Sequence, residues 1–189
     1  MNDESKTTKF TGVTISRTLE EQDDINDILK KIEESGGDKH IKVYFPARPN
    51  KANYYLGIAK AVSKRSTCLK RRYGCVIVNN DEIIATGYNG NPRGEFNCCD
   101  VGKCYRLNVP HNTGDYSDCH SVHAEQNAML SAARRDMLGA EMYLYGEELV
   151  DDRYKEVSAE PCPICARMIK NSGINIVRNA FGVINLSEG

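Results

Sequence analysis

The 189 residues carry 25 Lys and Arg against 26 Asp and Glu, a net charge of −1. That balance argues against a protein that coats nucleic acid through a basic face. The length suits one domain with its own core plus some decoration. No apolar run approaches the roughly 20 residues of a membrane span, and the acidic, polar N-terminus does not read as a signal peptide. The expected compartment is therefore the cytoplasm, where eight cysteines point to metal binding rather than disulfides.

Residues 1–50 are rich in Asp, Glu, Lys, Ser and Thr. Ile25, Ile28, Leu29 and Ile32 recur there at helical spacing, Gly36-Gly37 stops that helix, and Pro46 and Pro49 bracket a linker. This segment reads as an N-terminal extension with one amphipathic helix, either a solvated arm or a regulatory or subunit-contacting piece. The main domain is expected over 51–189. Tyr55, Ile58, Ala59 and Val62 mark its first helix, ending around Lys64. Short β-branched runs at 75–78 and 82–86, separated by Asn79-Asn80-Asp81, predict a hairpin, with Cys75 as a small buried hydrophobe. Gly87-Tyr88-Asn89-Gly90-Asn91-Pro92-Arg93-Gly94 reads as a loop. A helix is expected over 123–135 with Ala124, Ala128, Met129 and Ala132 on its packed side. A strand over 141–145, a helix over 162–171, a strand over 174–177 and a short strand at Val183-Ile184 follow. Strands alternating with helices imply an α/β layered domain.

Chemistry concentrates in His123-Ala124-Glu125 and Pro161-Cys162-Pro163-Ile164-Cys165. One imidazole and two thiolates make three ligands for zinc, which suits that donor set better than a redox metal. A structural zinc closes all four tetrahedral positions with protein atoms, whereas a catalytic one keeps a position for water. Glu125, two residues from His123, is placed to handle that water's protons. A closed zinc knuckle completed by a further Cys or His is the plainer reading, but it gives no reason for Glu125 at this offset. Both ligand sets open helices, and a helix N-terminus favours thiolate over thiol. Pro161 and Pro163 suit a first turn, where proline needs no amide partner. The H-x-E…P-C-x-x-C pattern is a signature of zinc-dependent nucleobase deaminases.

The chain resembles the cytidine/deoxycytidylate deaminase family over about residues 53–178. Lys64-Arg65-Ser66-Thr67-Cys68, Gly87-Tyr88-Asn89-Gly90, His123-Ala124-Glu125-Gln126-Asn127-Ala128 and the Pro161–Cys165 motif carry the resemblance. It implies a three-layer α/β/α fold of cytidine-deaminase type, with a central mixed sheet of about five strands and the two zinc-bearing helices side by side. It implies hydrolytic deamination of dCMP to dUMP, which supplies thymidylate synthesis, and a homohexamer. It also implies activation by dCTP, with magnesium accompanying that effector, and inhibition by dTTP. On this resemblance His123, Cys162 and Cys165 hold zinc and Glu125 shuttles protons, while Asn89 and Gly90 lie near substrate or effector. For the phosphate, the run Arg65, Lys70, Arg71 and Arg72 supplies cations that are as readily solvated surface charges, and the resemblance points to Arg134. It also implies a second, structural zinc, with Cys68 and Cys98 in matching places and Cys104 and Cys119, or His111 and His120 nearby, completing the ligands. Such a site would organise an otherwise irregular loop of about 30 residues, a length uncommon without an organiser. The extension before residue 51 exceeds the usual family start, and relatives often continue beyond the 174–177 strand with another helix and strand.

Among rival activities, a tRNA adenosine deaminase also accommodates Glu160-Pro161-Cys162, but the near-neutral charge and the Gly87–Gly90 loop speak against it. Free-nucleoside cytidine deaminases commonly begin their motif with Cys where His123 stands, and riboflavin-pathway deaminases space their two cysteines more widely. From another class, a non-catalytic zinc-organised module could sense nucleotides.

Overall fold

A computed structural model describes Glu34, residues 48–110 and residues 113–187. The stretch holding Ile25, Ile28, Leu29 and Ile32, the Gly36-Gly37 stop, Pro46 and His111 lie outside the described residues. Helix α1 (Lys51–Ser63) begins at Asn50, whose side-chain oxygen accepts from the Asn53 amide at 2.8 Å and so satisfies an orphan N–H of the first turn. Tyr55 and Ala59, one turn apart, are buried against the sheet.

Strands β1 (Arg71–Asn79) and β2 (Glu82–Tyr88) form the expected hairpin. Asn80 and Asp81 have φ of 49° and 70°, the paired left-handed conformation of a type I′ turn that matches strand twist. After α2 (Cys98–Val101) come α3 (Ala124–Leu130) and α4 (Arg134–Met137). The single helix expected over 123–135 is thus two. The Ser131 hydroxyl donates back to the Asn127 carbonyl at 2.9 Å, a local bond that competes with continued helix.

Strand β3 (Glu141–Val150) runs five residues past its expected end and turns through Asp151-Asp152, with φ of 51° and 60°, into β4 (Arg153–Val157), which the periodicity does not reveal. Helix α5 (Pro163–Ser172) crosses back to β5 (Ile176–Asn179), and β6 (Gly182–Asn185) closes the edge. The sheet has six strands in the order β2-β1-β3-β5-β6, with β4 also on β3. One edge of β3 pairs with β1; its other edge is divided between β5, parallel, and β4, antiparallel.

Alternation along the strands sorts the core into two layers. Val76, Val78, Tyr143 and Tyr145 meet Tyr55 and Ala59 of α1 on one face. Cys75, Ile77, Met142, Leu144 and Val177 meet Ala124, Ala128, Cys165 and Ile169 of α3 and α5 on the other. The expected three-layer α/β/α architecture results, with six strands rather than five. Burying each of Ile77, Met142, Leu144 and Ile169 contributes about 1.5–3 kcal/mol. Two glycines set the layer spacing: a Cβ on Gly74 would stand 2.0 Å from the Ala59 carbonyl of α1, and one on Gly87 would stand 2.3 Å from the Ala128 amide of α3. Pro49–Gly189 forms one compact unit.

Candidate metal centre and active site

His123 is the N-cap of α3 and Cys162 the N-cap of α5, so each ligand also starts its helix. The His123 amide donates to Gln126 Oε1 at 3.0 Å, which fixes the cap. Pro163 occupies the first turn of α5, and the Cys165 amide points at Cys162 Sγ from 3.4 Å, which caps that turn. His123 Nδ1 lies 3.7 Å from Cys162 Sγ and 3.4 Å from Cys165 Sγ. Tetrahedral zinc with ordinary Zn–S and Zn–N lengths separates its ligands by about 3.5–3.8 Å, so the three atoms fit that ion. Among the described residues this is the one His/Cys/Asp/Glu group of three or more whose ligand atoms all lie within 4.8 Å of one another.

Glu125 stands in the first turn of α3 and is 5% exposed. Burial pushes its carboxyl above the ordinary carboxylate range, while its own backbone amide and His123 pull it back. Burial likewise raises the Cys165 thiol, followed by the charges of Glu125 and Cys162. A carboxylate and two sulfurs gathered with little solvent call for a cation, which the donor set identifies as zinc.

The Gly87–Gly90 part of the Gly87–Gly94 segment is tied to this centre rather than loose. Gly87 and Tyr88 belong to β2, Gly90 bridges Val122 just before His123, and Asn127 of α3 donates to the Tyr88 carbonyl at 2.7 Å. The Asn89 carboxamide is buried and engaged on three sides. It accepts from the Tyr73 amide and the Ser66 hydroxyl at 2.7 Å each and donates to the Arg71 carbonyl at 2.9 Å.

The cations offered for the phosphate meet separate partners. Arg65 lies over the Tyr88 ring at 6.0 Å, beside the loop. Lys70 donates to the Arg106 and Val109 carbonyls, Arg71 to Glu148 and Tyr73, and Arg72 stacks on Tyr154 at 3.7 Å. Arg134 donates to the Asn171 carbonyl in the last turn of α5, while Cys162 and Cys165 sit at its first turn, about 10 Å away along the helix. The described chain does not bring Arg134 to the metal ligands.

Cys68, Cys98, Cys104 and Cys119 line one cavity of about 460 Å³ together with Asn91, Glu95, Arg106 and His120. Burial raises the Cys68 thiol, and Cys104 and Cys119 add to the rise. The sequence reading passed over Tyr73 and Glu148. Strand alternation back from Cys75 would have put Tyr73 on the metal face of the sheet.

Residues 49–180 match the profile of the cytidine and deoxycytidylate deaminase zinc-binding region. The deoxycytidylate deaminase of Schizosaccharomyces pombe is 40% identical over 131 residues, which cover 69% of this chain but 37% of that protein. That of Mycobacterium phage D29 is 37% identical over 135 residues, 69% of this chain and 94% of the phage protein. The chain therefore spans little more than a third of the yeast relative and nearly all of the phage one. A crystal structure of the dCMP deaminase of cyanophage S-TIM5 in complex with dCMP and dUMP superposes with a TM-score of 0.51 at 26% identity, covering 71% of this chain and 83% of that one. The matched span takes in every ligand of the metal group, and the chain belongs to the cytidine and deoxycytidylate deaminase family.

Proposed function

We propose that the protein hydrolyses dCMP to dUMP and ammonia. The observation that carries the reading is the buried Glu125 carboxylate two residues from His123 of the His123, Cys162 and Cys165 group. The names of the yeast and phage relatives, and the dCMP and dUMP bound to the cyanophage enzyme, support this substrate and product. His123, Cys162 and Cys165 would hold zinc. Zinc bound there supplies a Lewis acid that makes water a nucleophile near neutral pH. Glu125 takes a proton from the attacking water and passes it to the pyrimidine ring nitrogen. It then carries the second proton to the amino group, which leaves as ammonia while the ring keeps the water oxygen as a carbonyl. Asn89 and Gly90, on the loop tied to α3, form the wall beside the nucleotide, and Arg65, exposed over the Tyr88 ring of that loop, and Arg134 are the cations offered to its phosphate.

The finer assignments belong to the same proposal. Cys68, Cys98, Cys104 and Cys119 would close on a second, structural zinc: they share a cavity within a segment whose one described helix is α2, though no three of their sulfurs lie within 4.8 Å of one another. Residues 51–189 are the catalytic domain and 1–50 an extension. The enzyme works in the cytoplasm as a homohexamer supplying dUMP for thymidylate synthesis, with dCTP accompanied by magnesium and dTTP as opposing effectors.

Ammonia release across dCMP, CMP, deoxycytidine and a tRNA stem-loop tests the substrate; preference for another of these would replace dCMP. Glu125→Ala is expected to lower turnover by about 10²–10⁴-fold while zinc content survives. Undiminished turnover in that variant would overturn the mechanism, and a wild type that binds nucleotides without turnover would favour a sensing module. Metal analysis should give two zinc ions per chain, falling to one in Cys98→Ser; one in the wild type would remove the second site.

A further inference from the structure

Arg71 and Glu148 are half-buried cross-strand partners at the metal end of the sheet, and the mechanism above does not use them. They face each other across β1 and β3, and Arg71 Nη2 donates to Glu148 Oε2 at 2.6 Å. Arg71 Nη1 donates to the Tyr73 hydroxyl at 2.8 Å. Side-chain exposures of 15% and 22% put the Arg71 and Glu148 pair at a rim rather than in the core. Tyr73 follows on the same face of β1, and its ring lies over Gly146, where a Cβ would come within 2.5 Å of it. Ala159 packs against the same spot, three residues before Cys162. Glu125 is near enough for its charge to add to the burial that raises the Tyr73 phenol.

The donor and acceptor roles along this chain are forced. A guanidinium has donors and no acceptor, so the phenol oxygen must accept from Arg71 and cannot spend its own proton there. That proton therefore points away from Arg71. A phenol held in this way presents a donor, and its neighbours are Glu125 and the segment leading to Cys162.

We infer that Tyr73 is a substrate-binding residue whose hydroxyl donates to an oxygen of the bound nucleotide, and that Glu148 and Arg71 are positioning residues acting through it. The inference rests on the nucleotide-deaminase reading. Its test measures kcat and KM for dCMP, zinc content and thermal melting in Tyr73→Phe, Arg71→Gln and the double variant. Loss of one neutral hydrogen bond should raise KM in Tyr73→Phe by about 3–10-fold, with kcat, zinc and melting temperature close to wild type. Arg71→Gln should raise KM in the wild-type background but add little in the Tyr73→Phe background. Unchanged KM in a folded, zinc-loaded Tyr73→Phe overturns the inference, and full additivity of the two substitutions overturns the relay from Arg71. A wild type that releases no ammonia from dCMP instead overturns the deaminase reading, and this inference with it.

Discussion

Glu141 grips Arg178 through both oxygens, at 2.7 and 2.8 Å, in the bidentate geometry that makes such pairs stronger than point contacts. Arg178 is the main reason the Glu141 carboxyl lies below its ordinary value of 4.5, with the Tyr143 hydroxyl helping. A carboxyl depressed on folding contributes stability above its unfolded pKa and loses it as pH falls through the folded one. The pair is about a third exposed, 31% and 34%, so screening keeps the contribution to about 0.5–1 kcal/mol. Glu141→Gln should therefore melt below wild type from pH 5.5 to 7, and the gap should narrow as pH drops below about 4.5. Melting curves across that range check it; a gap that widens in acid would show that another interaction dominates. At the same scale, the gathering of His123, Cys162 and Cys165 was legible because ligand chemistry is local: residue type, spacing and a helix start were enough. Arg134 was not legible in that way. Its place at the far end of α5 depends on how two helices lie together, which no spacing along one of them encodes.

Between elements, the contact that most directly aims the metal ligands is β2 against α3. Gly87 sits where a Cβ would stand 2.3 Å from the Ala128 amide and 2.4 Å from the Ala124 carbonyl, both backbone atoms that cannot swing aside. Gly87→Ala should push α3 off the sheet, with a cost of about 1–3 kcal/mol and reduced zinc retention, since His123 caps that helix. Gly57→Ala, on α1 where nothing lies within 4 Å, should be neutral or stabilising by up to about 1 kcal/mol. Urea unfolding and zinc content of both variants check the pair; equal behaviour would deny Gly87 its spacing role. The elements misread from sequence failed for identifiable reasons. Ser131 interrupts a helix with no Gly or Pro to announce it, through a side-chain bond that periodicity does not weigh. Strand β4 is concealed because Arg153–Val157 is largely exposed and polar, while its turn is carried by Asp151-Asp152 rather than by glycine.

Across the whole molecule, the layered architecture was readable because both strands of the central pair alternate between two buried faces, each facing its own helices. The engagement of Lys70, Arg71 and Arg72 was not readable. A run of charges looks solvated until the fold supplies a carbonyl, a carboxylate and an aromatic ring from distant segments. The pairing of caps with ligands carries a consequence in time. At about 5–20 residues per second of synthesis, Cys165 leaves the ribosome a few seconds after His123. Until then a nascent chain has α3 without the sulfurs that face its cap, and β3 without its β5 neighbour. A product cut short before residue 162 would hold Glu125 and most of the sheet yet lack both cysteines of the metal group. Maturation of the centre thus waits on the synthesis of Cys162 and Cys165.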